Sequence, residues 1–293
     1  MPDSTAGPDA PPDYGRAGRD LPAAIGVGVG LGAVVVLTLA FFHWGFVILV
    51  ALGLTLGAVE LHQALARLGI RTAIVPICVG TVAIICVSYL AAKQPLLAST
   101  SSTTIMLSTL ALTVIAALVW RMRSGPDGFV RDASGSLFII GYVPLLGSFV
   151  ALMLAGDNGV GRVVVFIAAV VFSDIGGYVA GVLFGRHPMA PVISPKKSWE
   201  GFVGSILFSV AVSTTLCILV LRVDFWVGPV LALVMVGVGT CGDLVESLVK
   251  RDIGIKDMSS FIPGHGGVMD RIDSLLLAAP AAWLVMYLLV PGG

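Results

Sequence analysis

Long runs of apolar residues dominate the chain and alternate with short polar connections. A helix needs about 20 mostly apolar residues to cross roughly 30 Å of hydrocarbon. This pattern predicts an all-α, polytopic integral membrane protein with about nine transmembrane helices. The predicted spans are residues 21–42, 44–60, 72–92, 103–120, 135–155, 162–185, 202–221, 225–245 and 272–290.

The distribution of polar residues divides the chain into three regions. Residues 1–20 are rich in Pro, Asp, Gly and Ser, a composition that predicts a disordered tail. Residues 21–134 are predicted to form about four helices, in which we interpret Glu60 and His62 as interfacial or helix-packing groups. Residues 135–293 are predicted to form about five helices, and they carry most of the polar side chains. We expect the chemistry of the protein in this last region.

Composition excludes several classes of protein. Charged residues make up 12% of the 293 residues, compared with roughly 25% in soluble domains. The mean hydropathy is +1.01. A water-soluble enzyme and a disordered chain are both disfavoured by these values. The 17 basic and 17 acidic residues leave no net charge, so nucleic acid is not an expected partner.

The basic residues predict how the helices are oriented. All but three of the 17 lysines and arginines fall on one set of alternate connections, and the exceptions are Lys93, Arg162 and Arg222. Cytoplasmic connections carry the excess of lysine and arginine in membrane proteins. The sequence therefore predicts a multi-pass protein of the cell membrane whose N-terminus is cytoplasmic and whose C-terminus lies on the opposite side. The polar loops of the C-terminal region would face the cytoplasm.

The densest polar segment is GDLVESLVKRDIGIKDMSSFIPGHGGVMDRID, residues 242–273. Four of its side chains share one helical face, because they are spaced by three, four and seven residues: Asp243, Glu246, Ser247 and Lys250. Asp270 and Asp273 follow at the start of the last span. Carboxylates at this spacing can hold a divalent cation, and an unpaired carboxylate in hydrocarbon costs at least ~2.5 kcal/mol. Ion pairs with neighbouring lysine and arginine are the alternative.

Basic residues and a glycine-rich turn lie between these two acidic groups. Lys250, Arg251 and Lys256 can neutralise phosphate charge. The turn Pro263-Gly264-His265-Gly266-Gly267 can bring backbone N–H groups close to an anion. Together, the acidic groups, the basic groups and the turn suggest a site for a metal ion and phosphate. The alternative is a solvated cytoplasmic loop.

The sixth predicted span carries an intramembrane carboxylate. Asp174 and Tyr178 lie one helical turn apart, and such a carboxylate is more often functional than not. Gly177, Gly181 and Gly185 recur every four residues, which favours close contact with another helix. We therefore expect a functional role for the aspartate and a packing role for the glycines.

A second basic element follows this span. We interpret Ser194 as a helix N-cap and Pro195 as the first helical residue. A helix N-terminus beside Lys196 and Lys197 would attract phosphate. The alternative is that the two lysines anchor the chain to lipid headgroups.

The run from Ser247 to Asp273 resembles the signature of the phosphatidate cytidylyltransferase (CDP-diacylglycerol synthase) family. Every defined position of that signature is present: Ser247, Lys250, Arg251, Lys256, Asp257, Pro263, His265, Gly266, Gly267, Asp270, Arg271 and Asp273. Residues 173–178 and 194–201 resemble two upstream elements of the family, with Ser198 where threonine is usual. The resemblance covers roughly residues 135–290.

The resemblance implies a nucleotidyltransferase of phospholipid biosynthesis that converts CTP and phosphatidate into CDP-diacylglycerol and diphosphate. It implies Mg²⁺ as cofactor, with a second cation left open. The catalytic residues that it implies are Asp243, Asp270, Asp273 and Lys250, and the three aspartates are the expected metal ligands. The expected substrate and phosphate contacts are Asp174, Lys196, Lys197, Ser247, Arg251, Lys256, Asp257, His265, Gly266, Gly267 and Arg271. Membrane lipids are expected partners, and a homodimer is left open.

Two other functions fit the sequence less well. A CDP-alcohol phosphotransferase should contain an Asp-Gly-x-x-Ala-Arg run, which this chain lacks. A secondary transporter with cation-coupled carboxylates should have related halves and charges near the membrane midplane. Here the halves are unlike, and the charges cluster at the predicted cytoplasmic ends of the last spans.

Overall fold

A computed structural model describes residues 21–93, 102–259 and 266–291. Within these ranges the protein consists of helices and one short hairpin. The helices are α1 (Leu21–Phe41), α2 (His43–Arg67), α3 (Ile74–Lys93), α4 (Ser102–Met122), α5 (Phe129–Ile140), α6 (Leu146–Ala155), α7 (Gly159–Phe184), α8 (Trp199–Leu216), α9 (Val227–Ile253) and α10 (Met269–Leu289). Strands β1 (Pro188–Ala190) and β2 (Ser194–Ser198) pair antiparallel between α7 and α8. The predicted tail, residues 1–20, lies outside the described residues.

Eight helical stretches in the described part of the chain are long and apolar enough to cross a membrane. One of them, Phe129–Ala155, combines α5 and α6, which the π-helical segment Gly141–Leu145 joins. A second π-helical segment, Cys217–Leu221, continues α8. Helix α1 adds a shorter apolar stretch, Gly28–Phe41, to these eight. The predicted all-α, polytopic membrane architecture is confirmed.

The helices extend beyond the predicted spans where polar residues continue them. Helix α2 runs to Arg67 instead of ending at residue 60, and α9 runs to Ile253 instead of residue 245. A hydropathy pattern locates only the part of a helix that lies in hydrocarbon, whereas the backbone hydrogen bonds continue into the interface. Because α9 continues, Lys250 belongs to the same helix as Asp243.

The prediction that a helix begins at Ser194 is wrong. Residues Ser194–Ser198 form β2, and α8 begins at Trp199. The hydroxyl of Ser198 caps α8 by accepting a hydrogen bond from the Gly201 N–H at 3.1 Å. A Ser-Pro pair satisfies the local chemistry of a helix start, but pairing with β1 depends on residues of another strand.

Glycine and serine residues bring α7 and α8 into close contact. A methyl group at Gly204 would lie 2.3 Å from the Cβ of Ala180, and one at Gly177 would lie 2.5 Å from the Ser205 hydroxyl oxygen. Ser205 and Ser209 also donate hydrogen bonds to α7 carbonyls at 2.7 and 3.0 Å. Small residues and such hydrogen bonds drive helix association in lipid. The packing role predicted for Gly177 is confirmed.

A buried ion pair fixes the connection between α4 and α5. Arg121 Nε donates to Asp132 Oδ2 at 2.8 Å, and the two side chains are 5% and 2% exposed. The backbone N–H of Arg71 donates to Asp132 Oδ1 at 2.9 Å. Arg121 also donates to the carbonyl oxygens of Gly125 and Asp127. This network ties α4 and α5 to the connection between α2 and α3.

Another buried arginine holds the C-terminal end of α10. Arg162 of α7 donates to the carbonyl oxygens of Met286 at 3.1 Å and Pro291 at 3.0 Å. The last carbonyl groups of a helix have no partner within the helix and carry partial negative charge. Arg162, which is 4% exposed, satisfies this end of α10.

Candidate active site

Four acidic residues of the polar segment 242–273 lie on α9 and α10, which pack against each other: Asp243, Glu246, Asp270 and Asp273. A methyl group at Gly242 would lie 2.8 Å from the Asp273 carbonyl oxygen, so the close approach of the two helices requires glycine at this position. The contact brings Glu246 of α9 into electrostatic range of Asp270 and Asp273. Asp243 also lies within electrostatic range of Asp273.

Lys250 lies between two carboxylates of this cluster. Its Nζ is 2.5 Å from Glu246 Oε2 and 2.9 Å from Asp270 Oδ1. The lysine side chain is 16% exposed, and the glutamate side chain is 1% exposed. Removing one partner of a buried ion pair leaves an uncompensated charge. Lys250 therefore links the α9 and α10 parts of the signature.

Asp270 also binds backbone groups of the signature. Its Oδ2 accepts hydrogen bonds from the N–H groups of Gly267 at 2.7 Å and Met258 at 3.1 Å. Gly266 has φ +82°, and a methyl group there would lie 2.9 Å from the same oxygen. Asp270 therefore fixes the backbone on both sides of residues 260–265.

Lys197 of the upstream basic element reaches Asp243, which lies on α9 just before the signature. Its Nζ lies 2.6 Å from Asp243 Oδ2. The Ser247 hydroxyl lies 3.4 Å from the other oxygen of the same aspartate. The side chains of Lys197 and Asp243 are 22% and 37% exposed, so this pair lies on the open side of the cluster. Two motifs that are remote in sequence thus meet in one site.

Asp174 of α7 faces the same site. It lies close enough to Asp243 and Asp273 for mutual repulsion, and close enough to Lys197 and Arg271 for attraction. The residue is exposed. Several like charges at one place favour the binding of cations.

The remaining predicted site residues surround this cluster. Arg251 Nε donates to the Ile193 carbonyl at 3.3 Å, which links α9 to the hairpin turn. The Nε of Arg271 is buried, with no hydrogen-bond partner among the described residues. His265 lies outside the described residues. Three predicted contacts are exposed and form no ion pair within the ranges that the structure describes: Lys196, Lys256 and Asp257.

Glu60 of α2 is part of this region, and of the two roles predicted for it the structure supports helix packing. Its buried carboxylate accepts hydrogen bonds from the N–H groups of Val268 at 2.9 Å and Met269 at 2.8 Å, and from the Ser259 hydroxyl at 2.6 Å. It therefore binds the signature segment and does not lie at an interface. The signal that could have found it was an ionisable residue inside an apolar span.

Tyr142 was missed altogether. It lies in the π-helical segment Gly141–Leu145, and such segments frequently occur at functional sites. Its hydroxyl is buried without a hydrogen-bond partner in the described part of the chain, and it lies near the carboxylates of Glu246 and Asp273. Its ring stacks on Phe138 with centroids 5.6 Å apart. A single tyrosine within an apolar run gives no signal of this position.

Comparison with known proteins identifies the family of the chain. Residues 22–289 match the family model described as the Cytidylyltransferase family. A protein of Mycobacterium leprae (strain TN) named phosphatidate cytidylyltransferase is 39% identical over 290 residues, which cover 94% of this chain and 90% of the relative. A protein of the same name from Mycobacterium tuberculosis (strain ATCC 25618 / H37Rv) is 38% identical over 287 residues, with 94% and 84% covered. The resemblance found in the signature is confirmed, and the chain belongs to the cytidylyltransferase family.

Proposed function

We propose that the protein catalyses the reaction CTP + phosphatidate → CDP-diacylglycerol + diphosphate. Its membership of the cytidylyltransferase family and the names of the similar mycobacterial proteins support this reaction. The structural observation that carries the proposal is the 2.6 Å ion pair between Lys197 and Asp243. This pair joins the upstream element and the signature into one site at the end of the membrane helices.

In the proposed reaction an oxygen of the lipid phosphate attacks the α-phosphorus of CTP. A new P–O bond forms while the bond to the β-phosphate oxygen breaks, and diphosphate leaves with the electron pair of that bond. The lipid phosphate is anionic at neutral pH, so it needs little help from a general base. The barrier lies in aligning two anions and in stabilising the charge on the leaving group.

The basic residues of the site are suited to both tasks. Lys197 and Arg271 lie near Asp174 and would bind the phosphate groups of the substrates. Lys250 is held between Glu246 and Asp270, so its charge is positioned before substrate arrives. Preorganised charges of this kind stabilise a developing negative charge without reorganisation.

Mg²⁺ is the proposed cofactor, and Asp243, Asp270 and Asp273 are its proposed ligands. Among the described residues, no three His, Cys, Asp or Glu side chains converge as a ready-made metal cage. Mg²⁺ is usually bound through one or two carboxylates together with water and substrate phosphates, so the cluster fits an ion that binds with CTP. A bound Mg²⁺ supplies positive charge that neutralises the phosphates and the departing diphosphate. We include a second cation in this proposal. The carboxylates of the site outnumber the two lysines that pair with them, Lys197 and Lys250.

We further propose that the site faces the cytoplasm, with a cytoplasmic N-terminus and the C-terminus on the opposite side of the cell membrane. The distribution of lysine and arginine over alternate connections supports this orientation. The carboxylates lie where α9 ends and α10 begins, next to the connection that contains Lys256.

The proposed function is tested with purified protein in lipid vesicles, phosphatidate and CTP labelled at the α-phosphate. We expect labelled CDP-diacylglycerol and an equal amount of diphosphate when Mg²⁺ is present, and neither when it is chelated. Diacylglycerol is the matched control substrate, because it lacks the attacking phosphate. No labelled lipid under any of these conditions overturns the reaction, and undiminished product with chelated metal overturns the cofactor.

A further inference from the structure

We infer that Glu60, in the apolar N-terminal region, is a positioning residue that fixes the catalytic carboxylates of α10. The inference rests on the proposed function, because it assigns the residue a role in that reaction. Residue 60 lies on α2, whereas the carboxylates lie in the last helix of the chain. The N-terminal helices would thereby take part in building the active site.

The carboxylate of Glu60 caps the start of α10. Oε1 accepts from the Val268 N–H at 2.9 Å and from the Ser259 hydroxyl at 2.6 Å, and Oε2 accepts from the Met269 N–H at 2.8 Å. The first N–H groups of a helix have no partner within the helix, and they carry partial positive charge. Glu60, which is 5% exposed, satisfies two of them from a different helix.

This cap determines the position of the two α10 aspartates relative to α9. Asp270 follows Met269 directly, and Asp273 lies one helical turn further on. A methyl group at Gly267 would lie 2.7 Å from Glu60 Oε2. The backbone at this position is therefore packed directly against the carboxylate, with no room for a side chain. A displacement of the first turn of α10 would therefore move both aspartates relative to α9.

A purely structural role is the competing explanation, and Asp132 provides the comparison. Asp132 is also a buried carboxylate of the N-terminal region, but it binds Arg121, Arg131 and the backbone of Arg71, and none of its partners among the described residues belongs to the signature. Asp132→Asn and Glu60→Gln both keep the shape of the side chain and remove its charge. If Glu60 only stabilises the fold, the two variants should behave alike.

The decisive measurement is the turnover of folded protein together with the KM for CTP. In Glu60→Gln, the amide NH₂ faces either the Val268 or the Met269 N–H, whichever way it is turned, so one helix N–H loses its acceptor. We expect kcat to fall about tenfold or more, equivalent to about 1.4 kcal/mol. The KM for CTP should change by less than about threefold, because the hydrogen bonds of Glu60 to described residues go to Ser259, Val268 and Met269 and not to a basic residue of the site. Asp132→Asn should lower the melting temperature and keep kcat within about twofold of wild type.

Ser259→Ala provides a milder variant, because it removes only the hydroxyl donor. We expect a kcat decrease of about threefold, and no further decrease when it is combined with Glu60→Gln. If Glu60→Gln does not yield monodisperse protein, Ser259→Ala alone decides, and an unchanged kcat then overturns the inference. Wild-type kcat in folded Glu60→Gln, or an equal loss in Asp132→Asn, also overturns it. Absence of product from the wild-type protein would instead contradict the proposed function itself.

Discussion

The two aspartates of α10 have different surroundings, although the signature presents them as a pair. Asp270 accepts hydrogen bonds from Lys250 and from the N–H groups of Gly267 and Met258. Asp273 accepts hydrogen bonds from its neighbour Ser274, from the N–H at 2.7 Å and from the hydroxyl at 3.4 Å. Asp270 therefore combines a structural role with its proposed metal ligation.

Substitution by asparagine should separate these two roles. In Asp273→Asn the side-chain carbonyl can still accept from Ser274, so we expect a melting temperature near that of wild type and turnover reduced about 100-fold or more. Asp270→Asn should also lose stability of about 1–3 kcal/mol, because its NH₂ faces a backbone donor. Rates across a Mg²⁺ titration and melting curves in detergent measure both effects. Near-wild-type turnover in folded Asp273→Asn would contradict metal ligation.

If both aspartates bind one ion, their losses should not add. The double variant should be scarcely slower than the slower single variant, because residues that act as a unit are strongly non-additive. Separate ion pairs would instead give modest and additive losses that do not respond to Mg²⁺. The same titration with the double variant distinguishes the two arrangements.

The two lysines of the site should also respond differently to truncation. Lys197→Ala should chiefly raise the KM for CTP, because this lysine lies on the open side of the cluster. Lys250→Ala should destabilise the fold by about 3–5 kcal/mol as well, since it leaves Glu246 buried without its cation. Arg222→Ala is the control, because this exposed arginine precedes α9 and lies at the other end of that helix from Lys250, so it should leave the KM for CTP unchanged. An unchanged KM in Lys197→Ala would favour the lipid-anchor interpretation of this residue.

At the scale of the helices, the contact between α7 and α8 depends on the absence of side chains. We expect Gly204→Ala to lower the free energy of unfolding by about 1–3 kcal/mol, because its methyl group would overlap Ala180. Gly237→Ala on α9 is the control, since nothing lies within 4 Å of the added methyl group. The control should be neutral or slightly stabilising. Equal melting temperatures for the two variants would contradict the packing role.

The sequence predicted the helices well and their connections poorly, for a physical reason. Membrane insertion requires long apolar runs, so each helix leaves a signal in its own residues. The grouping of charged residues on α9 could be predicted, because the spacing of Asp243 and Lys250 puts them on one helical face. The strands β1 and β2 are only three and five residues long, so they leave no alternating pattern. The contacts of Glu60 depend on partners far away in the sequence, which no local pattern contains. Tyr142 could not be predicted for the same reason, because the carboxylates near it, those of Glu246 and Asp273, are remote in sequence.

At the scale of the whole molecule, the proposed orientation in the membrane rests on the lysines and arginines of alternate connections. Arg162, one of the three basic residues that do not fit this distribution, is bonded to carbonyl groups at the end of α10, so its position has a structural cause. Arg162 therefore need not count against the positive-inside distribution. The other lysines and arginines favour a cytoplasmic N-terminus more strongly without it.

Cysteine labelling should test this orientation. In a background without the four native cysteines, we expect a membrane-impermeant maleimide to reach Asp224→Cys from outside the cell. It should reach Ser124→Cys only after permeabilisation. Both positions are exposed, and three spans separate them. Labelling of both from the same side would mean that the number of spans between them is even.

The attachment of α10 at both ends has a consequence for how the protein responds to the lipid around it. Glu60 holds the first turn and Arg162 holds the last, and the 21 residues between correspond to a length of about 31 Å, close to the thickness of the hydrocarbon layer. Hydrophobic mismatch is usually relieved by tilting a helix, and α10 cannot tilt relative to α2 and α7 without breaking one of these attachments. We therefore expect wild-type turnover to vary little between vesicles of short and long acyl chains, and to vary more in Arg162→Gln. The depth of the reacting phosphates would then be set by the protein, and the bilayer would have to deform to match it.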